Sequence, residues 1–412
     1  MQHPVIIAGA GPGGLVLALA LHQRGIPVQM FEAVHELKPL GVGINLLPHS
    51  VRVLHDLGLE EGLASLAIQT AELRYVNKFG QLIWAEPRGM AAGYHFPQYS
   101  IHRGELQMLL YEAVKTRLGV DAIQTGRALA DWTDEADGIR VHLRDASGAM
   151  HEARGCCLIA ADGIHSTARR KLYPDEGPPL YSGRILWRAV SEGAPFLGGR
   201  TMIMAGHQHQ KFVCYPISHA HAQRGRSLIN WIAELNVPGW TPPPQDWRNQ
   251  VSKERFATEF AAWRFGWLDV PTLIDTTTAI YEYPMVDRDP LPAWTHGHMT
   301  LLGDAAHPMY PIGSNGASQA ILDAELLAAQ LAEQADIAQA LAKYEAARRP
   351  ATAKIVLMNR QNGPEQVMQM AEERAPNGFT HIHDVIAQAE LEEIAQRYKQ
   401  AAGFSLQQVN RG

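Results

Sequence analysis

The chain has 412 residues, of which 46% are apolar and 19% are charged, and its formal net charge is −6. These values are typical of a globular protein long enough for two or three domains. No Lys/Arg-rich run occurs, so nucleic acid is not expected as a partner. Three cysteines, of which Cys156 and Cys157 are adjacent, do not make a disulfide framework and favour a reducing, cytoplasmic compartment.

The apolar N-terminus has the length of a signal peptide or a membrane span but not the composition. Residues 5–21 contain four glycines and Pro12, and no basic segment precedes them. A buried strand, a tight turn and a packed helix explain this composition better. No other stretch is apolar enough to span a bilayer, so we expect no membrane partner.

The first 32 residues predict a dinucleotide-binding unit. A buried strand at 4–8 is followed by the turn GAGPGG at 9–14, a helix to Gly25 and a second strand at 28–31. This order of strand, glycine-rich turn and helix supports the G-x-G-x-x-G interpretation. Glu32 ends the second strand, where it would accept hydrogen bonds from an adenosine ribose and disfavour a 2′-phosphate. The alternative is a glycine-rich turn without a ligand.

Each glycine of this pattern has a separate task. Gly9 allows the tight turn, Gly11 lets the backbone approach a pyrophosphate, and Gly14 lets the helix and the strand pack closely. Further along the chain, Gly41 and Gly43 flank a small apolar residue. These two glycines either permit close approach to a flat ring or belong to a simple loop.

A helix is predicted to start near residue 101 and to run to about Leu118. Arg103 lies in its first turn, where a cation opposes the helix dipole. Either a buried anionic or polyol partner accounts for this position, or the arginine is solvated.

A second strand–turn–helix unit follows in the middle of the chain. Three alternating segments before it predict a β-meander, near 127–133, 138–144 and 149–153. The apolar strand at 157–161 ends at Asp162 and Gly163, and Ser166 can cap the next helix. This second unit suggests a sheet shared with the first one rather than a separate domain.

Residues 184–283 differ in character and predict an inserted substrate domain built on a mostly antiparallel sheet. The alternating segments lie at 203–206, 211–217 and 227–235. The aromatic residues of this region either form its core or line a ligand pocket: Trp187, Tyr215, Trp231, Tyr281 and Tyr283.

Two further features of this region are interpreted as structural. A Pro-rich loop is predicted at 238–244 and a short helical stretch at about 246–268. His207 and His209 lack an acidic or cysteine partner nearby, so they indicate a hairpin turn rather than a metal site. No metal is expected in the protein.

The stretch 299–327 organises the rest of the chain. An apolar strand at 299–302 is stopped by Gly303 and Asp304, and a Pro- and Gly-rich turn at 308–316 leads into a helix. Such an arrangement holds a polar ligand against backbone N–H groups. A carboxylate cannot accept from a phosphate but can accept from a sugar hydroxyl, so Asp304 predicts a site for a polyol chain.

The C-terminal part is predicted to be helical. A long amphipathic helix is expected at 336–360, and a polar helical tail at 364–402. We expect this tail to pack on the surface or on a second subunit.

Three motifs, taken together, resemble the FAD-dependent aromatic hydroxylases of the para-hydroxybenzoate hydroxylase type. They are GAGPGG (9–14), AADGIHSTAR (160–169) and LLGDAAHPMYPIGSNGA (301–317). The resemblance covers residues 4–360. LGVGIN (40–45), SIHRGELQM (100–108), YPMVDRDPLP (283–292) and GSNGASQAILD (313–323) are closest to the phenazine-oxidising branch of the family.

The resemblance implies a bound FAD and residue roles around it. Gly9, Gly11, Gly13 and Gly14 would lie at the pyrophosphate, and Glu32 at the ribose. Arg103 would approach the FAD linker, Asp304 would hold the ribityl chain, and Asp162 with Gly163 would serve FAD and transient NADH or NADPH. Near the flavin ring the implied residues are Gly43, Ile44, Pro311, Gly313, Asn315, Gly316 and Ala317.

The resemblance also implies a flavin monooxygenase that uses NADH or NADPH and dioxygen. Dioxygen would add to the reduced flavin, and the resulting hydroperoxide, an electrophile, would hydroxylate an electron-rich aromatic or N-heteroaromatic, phenazine-like small molecule. Pocket candidates are Trp187, Arg188, Tyr215, Tyr283, Met309 and Tyr310. Arg188 either meets a substrate carboxylate or forms a structural ion pair. The alternatives are a flavoprotein oxidase or dehydrogenase without oxygen transfer, and a nucleotide-binding redox sensor without turnover.

We therefore expect an α/β protein, either a monomer or a homodimer, with a Rossmann-like FAD-binding domain in the para-hydroxybenzoate hydroxylase fold. The expected FAD-binding domain comprises 1–71, 98–180 and 284–360. The inserted, mostly antiparallel β-sheet substrate domain comprises 72–97 and 181–283, and the helical tail comprises 361–412.

Overall fold

The computed structural model of the chain describes residues 3–239 and 249–410. Most of the Pro-rich loop predicted at 238–244, and the start of the helical stretch predicted at about 246–268, lie outside these described residues. Within them no helix is long and apolar enough to cross a membrane.

The strands are numbered in chain order. They are β1 (Val5–Ala8), β2 (Val28–Glu32), β3 (Gly43–Leu46), β4 (Ile68–Thr70), β5 (Glu72–Val76), β6 (Leu82–Pro87), β7 (Gln98–His102), β8 (Ile123–Thr125), β9 (Ala128–Glu135), β10 (Gly138–Arg144), β11 (Met150–Gly155), β12 (Cys157–Ala160), β13 (Leu180–Gly193), β14 (Thr201–His207), β15 (Gln210–Pro216), β16 (Ser227–Asn236), β17 (Gln250–Val251), β18 (Arg264–Phe265), β19 (Leu268–Asp269), β20 (Ile280–Asp287), β21 (Thr295–His296) and β22 (Met299–Leu301).

The α-helices follow the same convention. They are α1 (Pro12–Gln23), α2 (Pro48–Asp56), α3 (Glu60–Leu66), α4 (Arg103–Leu118), α5 (Thr167–Leu172), α6 (His219–Gln223), α7 (Val270–Asp275), α8 (Gly316–Glu333), α9 (Ile337–Arg360), α10 (Gln366–Arg374), α11 (Gln388–Ala401) and α12 (Leu406–Asn410).

A six-stranded sheet with the order β21-β22-β12-β1-β2-β8 forms the centre of the first layer. All of its pairs are parallel except β21–β22. Its central strand is completely buried, as the unbroken apolar run Val5–Ala8 predicts for a parallel strand covered on both faces. The registers align Ala8 with Phe31 on one side and with Ala160 on the other. Strand ends that carry the sequence motifs therefore meet at one edge.

An eight-stranded sheet with the order β17-β20-β13-β16-β15-β14-β5-β6 forms the second layer. Its pairs are antiparallel except β14–β5, which confirms the mostly antiparallel prediction. One face, which we call the cleft face, carries the side chains of Tyr75, Met204, Val213 and Tyr215. The opposite face packs on a separate aromatic core. Because successive residues of a strand point to opposite faces, neighbours in one strand cannot share a pocket.

The smaller predicted features are also present. The strands β9, β10 and β11 form the expected antiparallel meander. His207 pairs with Gln210 at the turn between β14 and β15, which confirms a hairpin at these histidines. Among the described residues, no group of three or more His, Cys, Asp or Glu side chains is arranged to hold a metal ion.

The helical prediction for about 246–268 is wrong in its described part. The chain forms β17, two 3-10 turns and the β18–β19 hairpin there. Phe256, Phe260 and Trp263 have helical spacing, but they belong to the aromatic core behind the eight-stranded sheet. Mutual ring contacts, including Phe260 on Trp263 at a centroid distance of 5.1 Å, hold these residues in an irregular chain.

The tail after residue 361 does not lie loosely on the surface. Val367, Met368, Leu391 and Ile394 join the apolar cluster on the cleft face. The buried Lys211 ammonium lies 2.6 Å from Glu365 of the tail and 2.8 Å from Glu234 of β16. Apolar burial and a buried ion pair therefore attach α10 and α11 to the eight-stranded sheet.

Candidate flavin-binding crevice

Three turns lie side by side at the carboxyl edge of the six-stranded sheet. The Gly9 amide donates to the Phe31 carbonyl at 2.7 Å, and the Ala161 amide donates to the Ala8 carbonyl at 2.8 Å. The Leu302 amide donates to the Ala160 carbonyl at 3.0 Å. These bonds bring the glycine-rich turn, the Asp-Gly turn and the Gly-Asp turn together. In open α/β sheets, ligands bind outside the carboxyl ends of the strands.

The glycines of the first turn occupy the positions that the sequence pattern predicts. Gly9 has φ +111°, and a Cβ atom there would lie 2.3 Å from the Ala161 carbonyl oxygen. A Cβ atom at Gly14 would lie 2.2 Å from the Gly9 carbonyl oxygen, so only glycine lets α1 pack this closely. At Gly11 nothing lies within 4 Å of an added Cβ atom. The turn is thus tightly packed behind and open at Gly11, where a pyrophosphate would approach.

Gly13 has a different environment from Gly11. A Cβ atom there would lie 2.8 Å from Leu302 Cδ2 and 3.2 Å from Ala320 Cβ. Its missing side chain therefore allows α1 to pack on α8, and only its backbone remains available to the crevice.

Glu32 links the first turn to the end of β2. One carboxylate oxygen accepts from the Ala10 amide at 2.7 Å, and the other accepts from the Val34 amide at 2.9 Å. The carboxylate is half-buried. The glutamate predicted at the ribose therefore also fixes the conformation of the glycine-rich turn.

Asp162 and Gly163 border the same crevice. Asp162 Oδ2 accepts from the Thr167 amide at 2.7 Å, whereas Asp162 Oδ1 is buried without a hydrogen-bond partner among the described residues. Burial raises the pKa of this carboxyl group. Gly163 has φ +78° and open space where a Cβ atom would be. An unsatisfied buried acceptor beside open space indicates a ligand donor.

Asp304 lies in the wall of the crevice. Its side chain is accessible, yet the surrounding protein desolvates it enough to raise its pKa. The positive charges of His307 and Arg103 act in the opposite direction on this pKa. Arg103 is exposed at the start of α4, and its Cβ and Cδ atoms lie 3.6 Å from the position of a Gly41 Cβ atom. Asp304 and Arg103 are thus close enough to act on one polar ligand.

A buried carboxylate positions the Asp304 turn. Asp323 Oδ2 accepts from the Gly303 amide at 3.1 Å and pairs with His307 Nε2 at 2.5 Å, while Oδ1 accepts from Arg348 Nε at 2.6 Å. Asp323 is completely buried. Burial alone would raise its pKa, but the charges and hydrogen bonds of His307 and Arg348 lower the pKa to about 2. Asp323 therefore fastens the turn to both α8 and α9.

Arg169 joins the second motif to the third. Its guanidinium is 1% exposed and donates to the carbonyls of Ala305 and Ala306 at 3.2 and 2.9 Å. It also pairs with Glu176. The α5 helix, capped by Ser166 as predicted, therefore holds the backbone directly after Asp304.

The loop before α8 is held from the other side by the tail. The Tyr398 hydroxyl accepts from Asn315 Nδ2 at 3.1 Å and donates to Asn359 Oδ1 at 2.9 Å or to the Ile312 carbonyl at 3.2 Å. A Cβ atom at Gly313 would lie 2.1 Å from this hydroxyl oxygen. The Asn315 side chain and the absence of a side chain at Gly313 therefore both serve contact with the tail.

The start of α8 keeps its backbone free for a ligand. Nothing lies within 4 Å of a Cβ atom added to Gly316, and Ala317 is only half-buried. Pro311, ahead of this helix, is exposed. The first amides of a helix are unpaired donors at the positive end of its dipole. This end of α8 is suited to an electron-rich or anionic group.

The 41–45 loop is fastened to the cleft face of the eight-stranded sheet. The Gly43 amide donates to Asn230 Oδ1 at 2.7 Å, and its carbonyl accepts from the Tyr215 hydroxyl at 2.9 Å and from Arg188 Nη2 at 3.1 Å. A Cβ atom at Gly43 would lie 2.6 Å from Asn230 Cβ. Gly43 thus anchors the loop, and the half-buried Ile44 follows it.

Four of the six pocket candidates lie together on the cleft face. Tyr215 and Tyr283 are close enough to Arg188 to affect its pKa, which burial lowers. Tyr310 packs into the cleft-face cluster, and the pKa of its phenol is raised to about 12 by burial. Met309 is half-buried beside a neighbouring cluster of tail residues.

Trp187 is not on this face, so its assignment to the pocket is corrected. It follows the strand alternation into the aromatic core, where it stacks on Phe256 at a centroid distance of 4.7 Å. Its indole N–H donates to Glu282 at 2.9 Å. Arg188, the next residue, points to the cleft face instead.

The residues of this crevice fit an FAD molecule. The unpartnered oxygen of Asp162, the accessible carboxylate of Asp304 and the open space at Gly11, Gly163 and Gly316 lie on turns at one sheet edge. Together they offer polar contacts for a pyrophosphate, a polyol chain and an electron-rich ring edge.

The comparisons with known proteins agree with this fit. A family model described as FAD binding domain matches residues 2–359. Phenazine 1,6-dicarboxylic acid hydroxylase of Lysobacter antibioticus is 48% identical over 364 residues, which is 87% of this chain and 89% of that protein. 3-hydroxybenzoate 6-hydroxylase 1 of Aquipseudomonas alcaligenes is 31% identical over 368 residues, which is 87% of this chain and 88% of that protein.

Solved structures share the fold over the whole chain. HpxO of Klebsiella pneumoniae, solved with FAD and uric acid, has a TM-score of 0.77 at 23% identity and covers 100% of this chain and 98% of its own. A salicylate hydroxylase substrate complex has a TM-score of 0.75 at 23% identity, with the same coverage of 100% and 98%.

The fold and the crevice define an FAD-binding α/β oxidoreductase. More narrowly, the chain belongs to the family of FAD-dependent aromatic hydroxylases and is an FAD-dependent monooxygenase.

Sequence reasoning missed the residues that hold the crevice in shape. Asp323 and Arg348 were visible only as ordinary helix residues, and Tyr398 only as part of a polar tail. Buried Asp and Arg within predicted helices would have been the signal, but burial depends on tertiary packing. Nothing in the sequence around Asn230 indicated that its side chain would hold the Gly43 amide.

The substitution Asp323→Asn tests the role of the buried carboxylate. Because the folded pKa of about 2 lies below the unfolded value of about 3.9, the interaction stabilises the fold above pH ~4 and is lost as the pH falls towards 2. We expect the variant to lose about 3 kcal/mol at pH 7 and to have a shallower loss of stability between pH 4 and 2. Urea unfolding across this pH range measures both effects. Asp275→Asn, on an exposed ion pair, is the control, and identical pH profiles for Asp323→Asn and wild type would contradict the assignment.

The substitution Tyr398→Phe tests the contact between the tail and the loop at 311–315 that precedes α8. Removing the hydroxyl leaves buried groups of Asn315, Asn359 and Ile312 without this partner, which costs about 1–3 kcal/mol. We expect the dissociation constant for FAD to rise by about fivefold or more, as measured by flavin fluorescence quenching. Tyr111→Phe, on the half-buried surface of α4, is the matched control. An FAD affinity equal to that of wild type would show that the tail does not shape this loop.

Proposed function

We propose that the protein hydroxylates an electron-rich aromatic or N-heteroaromatic small molecule that carries a carboxylate, with NADH or NADPH and dioxygen as co-substrates. The observation that carries this proposal is the environment of Arg188. Its guanidinium is desolvated, and its Nε atom is buried without a hydrogen-bond partner among the described residues. No carboxylate in the described part of the chain forms an ion pair with it.

Arg188 is half-buried, and a desolvated cation without an anionic partner is costly, so a ligand anion is its natural complement. Arg188 lies beside Tyr215 and Tyr283 on the cleft face, and the charge of Arg103 also reaches it. Since Arg103 likewise reaches Asp304 on the crevice wall, the cationic end of the cleft adjoins the proposed flavin site. A carboxylate bound at Arg188 would therefore hold an aromatic ring next to the flavin.

The protein's own residues would bind, orient and shield the reactants. When bound, FAD supplies the redox chemistry, because it takes electrons from the nicotinamide and activates dioxygen for transfer to a ring. Asp304 would accept from a ribityl hydroxyl, Glu32 from a ribose, and the open start of α8 would face the electron-rich ring edge. Tyr310 and the apolar cleft face would exclude water.

The cofactor contacts themselves remain part of this proposal. They comprise Gly9, Gly11, Gly13, Gly14, Glu32, Gly43, Ile44, Arg103, Asp162, Gly163, Asp304, Pro311, Gly313, Asn315, Gly316 and Ala317. At Gly13 and Gly313, other residues fill the space that a side chain would take, and at Gly43 and Asn315 polar groups already form hydrogen bonds within the protein. These four residues would therefore contact FAD only through their remaining backbone groups.

The substrate class is supported by one relative. Phenazine 1,6-dicarboxylic acid hydroxylase, at 48% identity, acts by its name on a flat, carboxylated N-heteroaromatic. We extend this to a phenazine-like substrate for the present chain.

The FAD-binding domain would comprise 1–71, 98–180 and 284–360, and the substrate domain 72–97 and 181–283. The three cysteines of the chain are buried and form no disulfide among the described residues, which supports a cytoplasmic protein, working as a monomer or a homodimer.

A single-turnover experiment under labelled dioxygen tests the reaction. We expect the FAD-loaded protein, NADH or NADPH, and phenazine-1-carboxylate under ¹⁸O₂ to give a hydroxylated product with one ¹⁸O atom, detected by mass spectrometry. In steady-state assays, Arg188→Met should raise the KM for phenazine-1-carboxylate by roughly 10- to 100-fold, as expected for the loss of a charged hydrogen bond. The KM for unsubstituted phenazine should stay nearly unchanged. Label found only in hydrogen peroxide would favour an oxidase and contradict the proposal.

A further inference from the structure

One residue joins the 41–45 loop to the cleft face of the eight-stranded sheet. The Gly43 amide donates to Asn230 Oδ1 at 2.7 Å, while the Gly43 carbonyl accepts from Arg188 Nη2 at 3.1 Å and from the Tyr215 hydroxyl at 2.9 Å. We call these four residues the Gly43 anchor. A Cβ atom at Gly43 would lie 2.6 Å from Asn230 Cβ and 2.8 Å from Tyr215 Cε2, so only a glycine lets the loop pack this closely on the sheet.

The sheet register places two members of the anchor close together. Arg188 of β13 pairs with Ile232 of β16, and Val190 pairs with Asn230. Arg188 and Asn230 are therefore diagonal neighbours on one face, with α-carbons about 7–8 Å apart. Since both side chains also reach the same glycine, a charge placed at position 230 would act on the Arg188 guanidinium at short range.

Asn230 uses only half of its amide group. Its Oδ1 atom accepts from the Gly43 amide, whereas its Nδ2 atom is buried without a hydrogen-bond partner among the described residues. The residue is 0% exposed, so it acts through its neighbours and not by touching a ligand. An aspartate could accept the same hydrogen bond from Gly43. What asparagine adds at this position is the absence of a negative charge.

The surroundings of Arg188 contain no acidic group that acts on it. Burial lowers the pKa of Arg188, the phenols of Tyr215 and Tyr283 raise it, and the charge of Arg103 lowers it. Burial also raises the pKa of Tyr215 to about 12, so this phenol stays neutral. In the described part of the chain, no carboxylate is among the groups that shift the Arg188 pKa.

The acidic side chains of the strands around Arg188 are paired with other cations. The strands concerned are β13, β16 and β20, and the pairs are Glu192 with Arg226, Glu234 with Lys211, Glu282 with Arg255, and Asp287 with Arg360. The positive charge of Arg188 is therefore left uncompensated by the protein, and the neutral Gly43 anchor preserves this state.

We propose that Asn230 is a specificity-determining positioning residue, which holds the 41–45 loop on the sheet without neutralising Arg188. This rests on the proposed function, because it concerns the same carboxylate-binding site. The Gly43 carbonyl fixes one edge of the guanidinium, and the Nε atom remains free for a ligand oxygen. A neutral acceptor at position 230 therefore selects for anionic ligands, whereas an acidic one would select against them.

The substitution Asn230→Asp gives the sharpest test, because it keeps an acceptor for the Gly43 amide and adds one charge. Phenazine-1-carboxylate and its neutral counterpart of similar shape, phenazine-1-carboxamide, are titrated calorimetrically into the FAD-loaded protein without NADH or NADPH. We expect wild type to bind the carboxylate at least about tenfold more tightly than the carboxamide. Asn230→Asp should weaken carboxylate binding by about tenfold or more and change carboxamide binding by less than about threefold. Asn236→Asp, the same substitution at the exposed end of β16, is the matched control.

A double-mutant cycle tests the positioning role without an added charge. Asn230→Ala leaves the Gly43 amide without its acceptor, so it should weaken carboxylate binding by about fivefold and carboxamide binding by less than about twofold. In the Arg188→Met background, the same substitution should change carboxylate binding by less than about twofold, because its effect acts through Arg188. Thermal unfolding and flavin content of every variant separate a loss of fold from a loss of recognition.

Two results would overturn the role of Asn230 and leave the proposed function in place. One is an Asn230→Asp variant that keeps the full preference for the carboxylate. The other is an Asn230→Ala variant that weakens both ligands equally, or by the same factor with and without Arg188. A wild type without a carboxylate preference, or a preference that survives Arg188→Met, would instead overturn the carboxylate site of the proposed function, and the role of Asn230 with it.

Discussion

The crevice depends on one buried carboxylate. Asp323 has no solvent contact and is held by His307 and Arg348, while it holds the Gly303 amide in return. An isolated carboxylate in this environment would be unstable, so the turn, α8 and α9 can coexist only in the arrangement that satisfies it. That arrangement places Asp304 in the crevice wall. Asp304, which we propose to contact the ligand, is therefore positioned by Asp323, which has no access to it.

A second layer of constraint comes from the tail. Tyr398 and Gly313 are in such close contact that no side chain could replace the glycine hydrogen. The turn before α10 is tied to the eight-stranded sheet by the buried Lys211–Glu365 ion pair. The segment from Gly303 to Asn315 is thus held by Asp323 at its start and by Tyr398 of the tail at its end. A segment of polar helical sequence becomes part of the site through burial of a few residues.

The strands and turns that carry the cofactor motifs were predictable because their signals are local. Unbroken apolar runs before Gly9, Asp162 and Asp304 predicted buried parallel strands, and glycine spacing predicted the tight turn. The stretch at 246–268 was not predictable, since its aromatic spacing matches a helix and only tertiary packing decides otherwise. Trp187 and Arg188 show what strand alternation alone leaves undecided. Strand alternation requires them to face opposite sides, but which side forms the cleft depends on where the loop at Gly43 docks.

The most direct test of the account is the affinity for FAD of Asp304→Ala compared with wild type. Flavin fluorescence quenching of the apoprotein gives both dissociation constants, and Asp275→Ala, an exposed and distant carboxylate, is the control. We expect one FAD per chain and an affinity at least about tenfold lower for Asp304→Ala, because a buried hydrogen bond to a charged acceptor is lost. Equal FAD affinity in the two proteins would contradict a crevice built around this carboxylate.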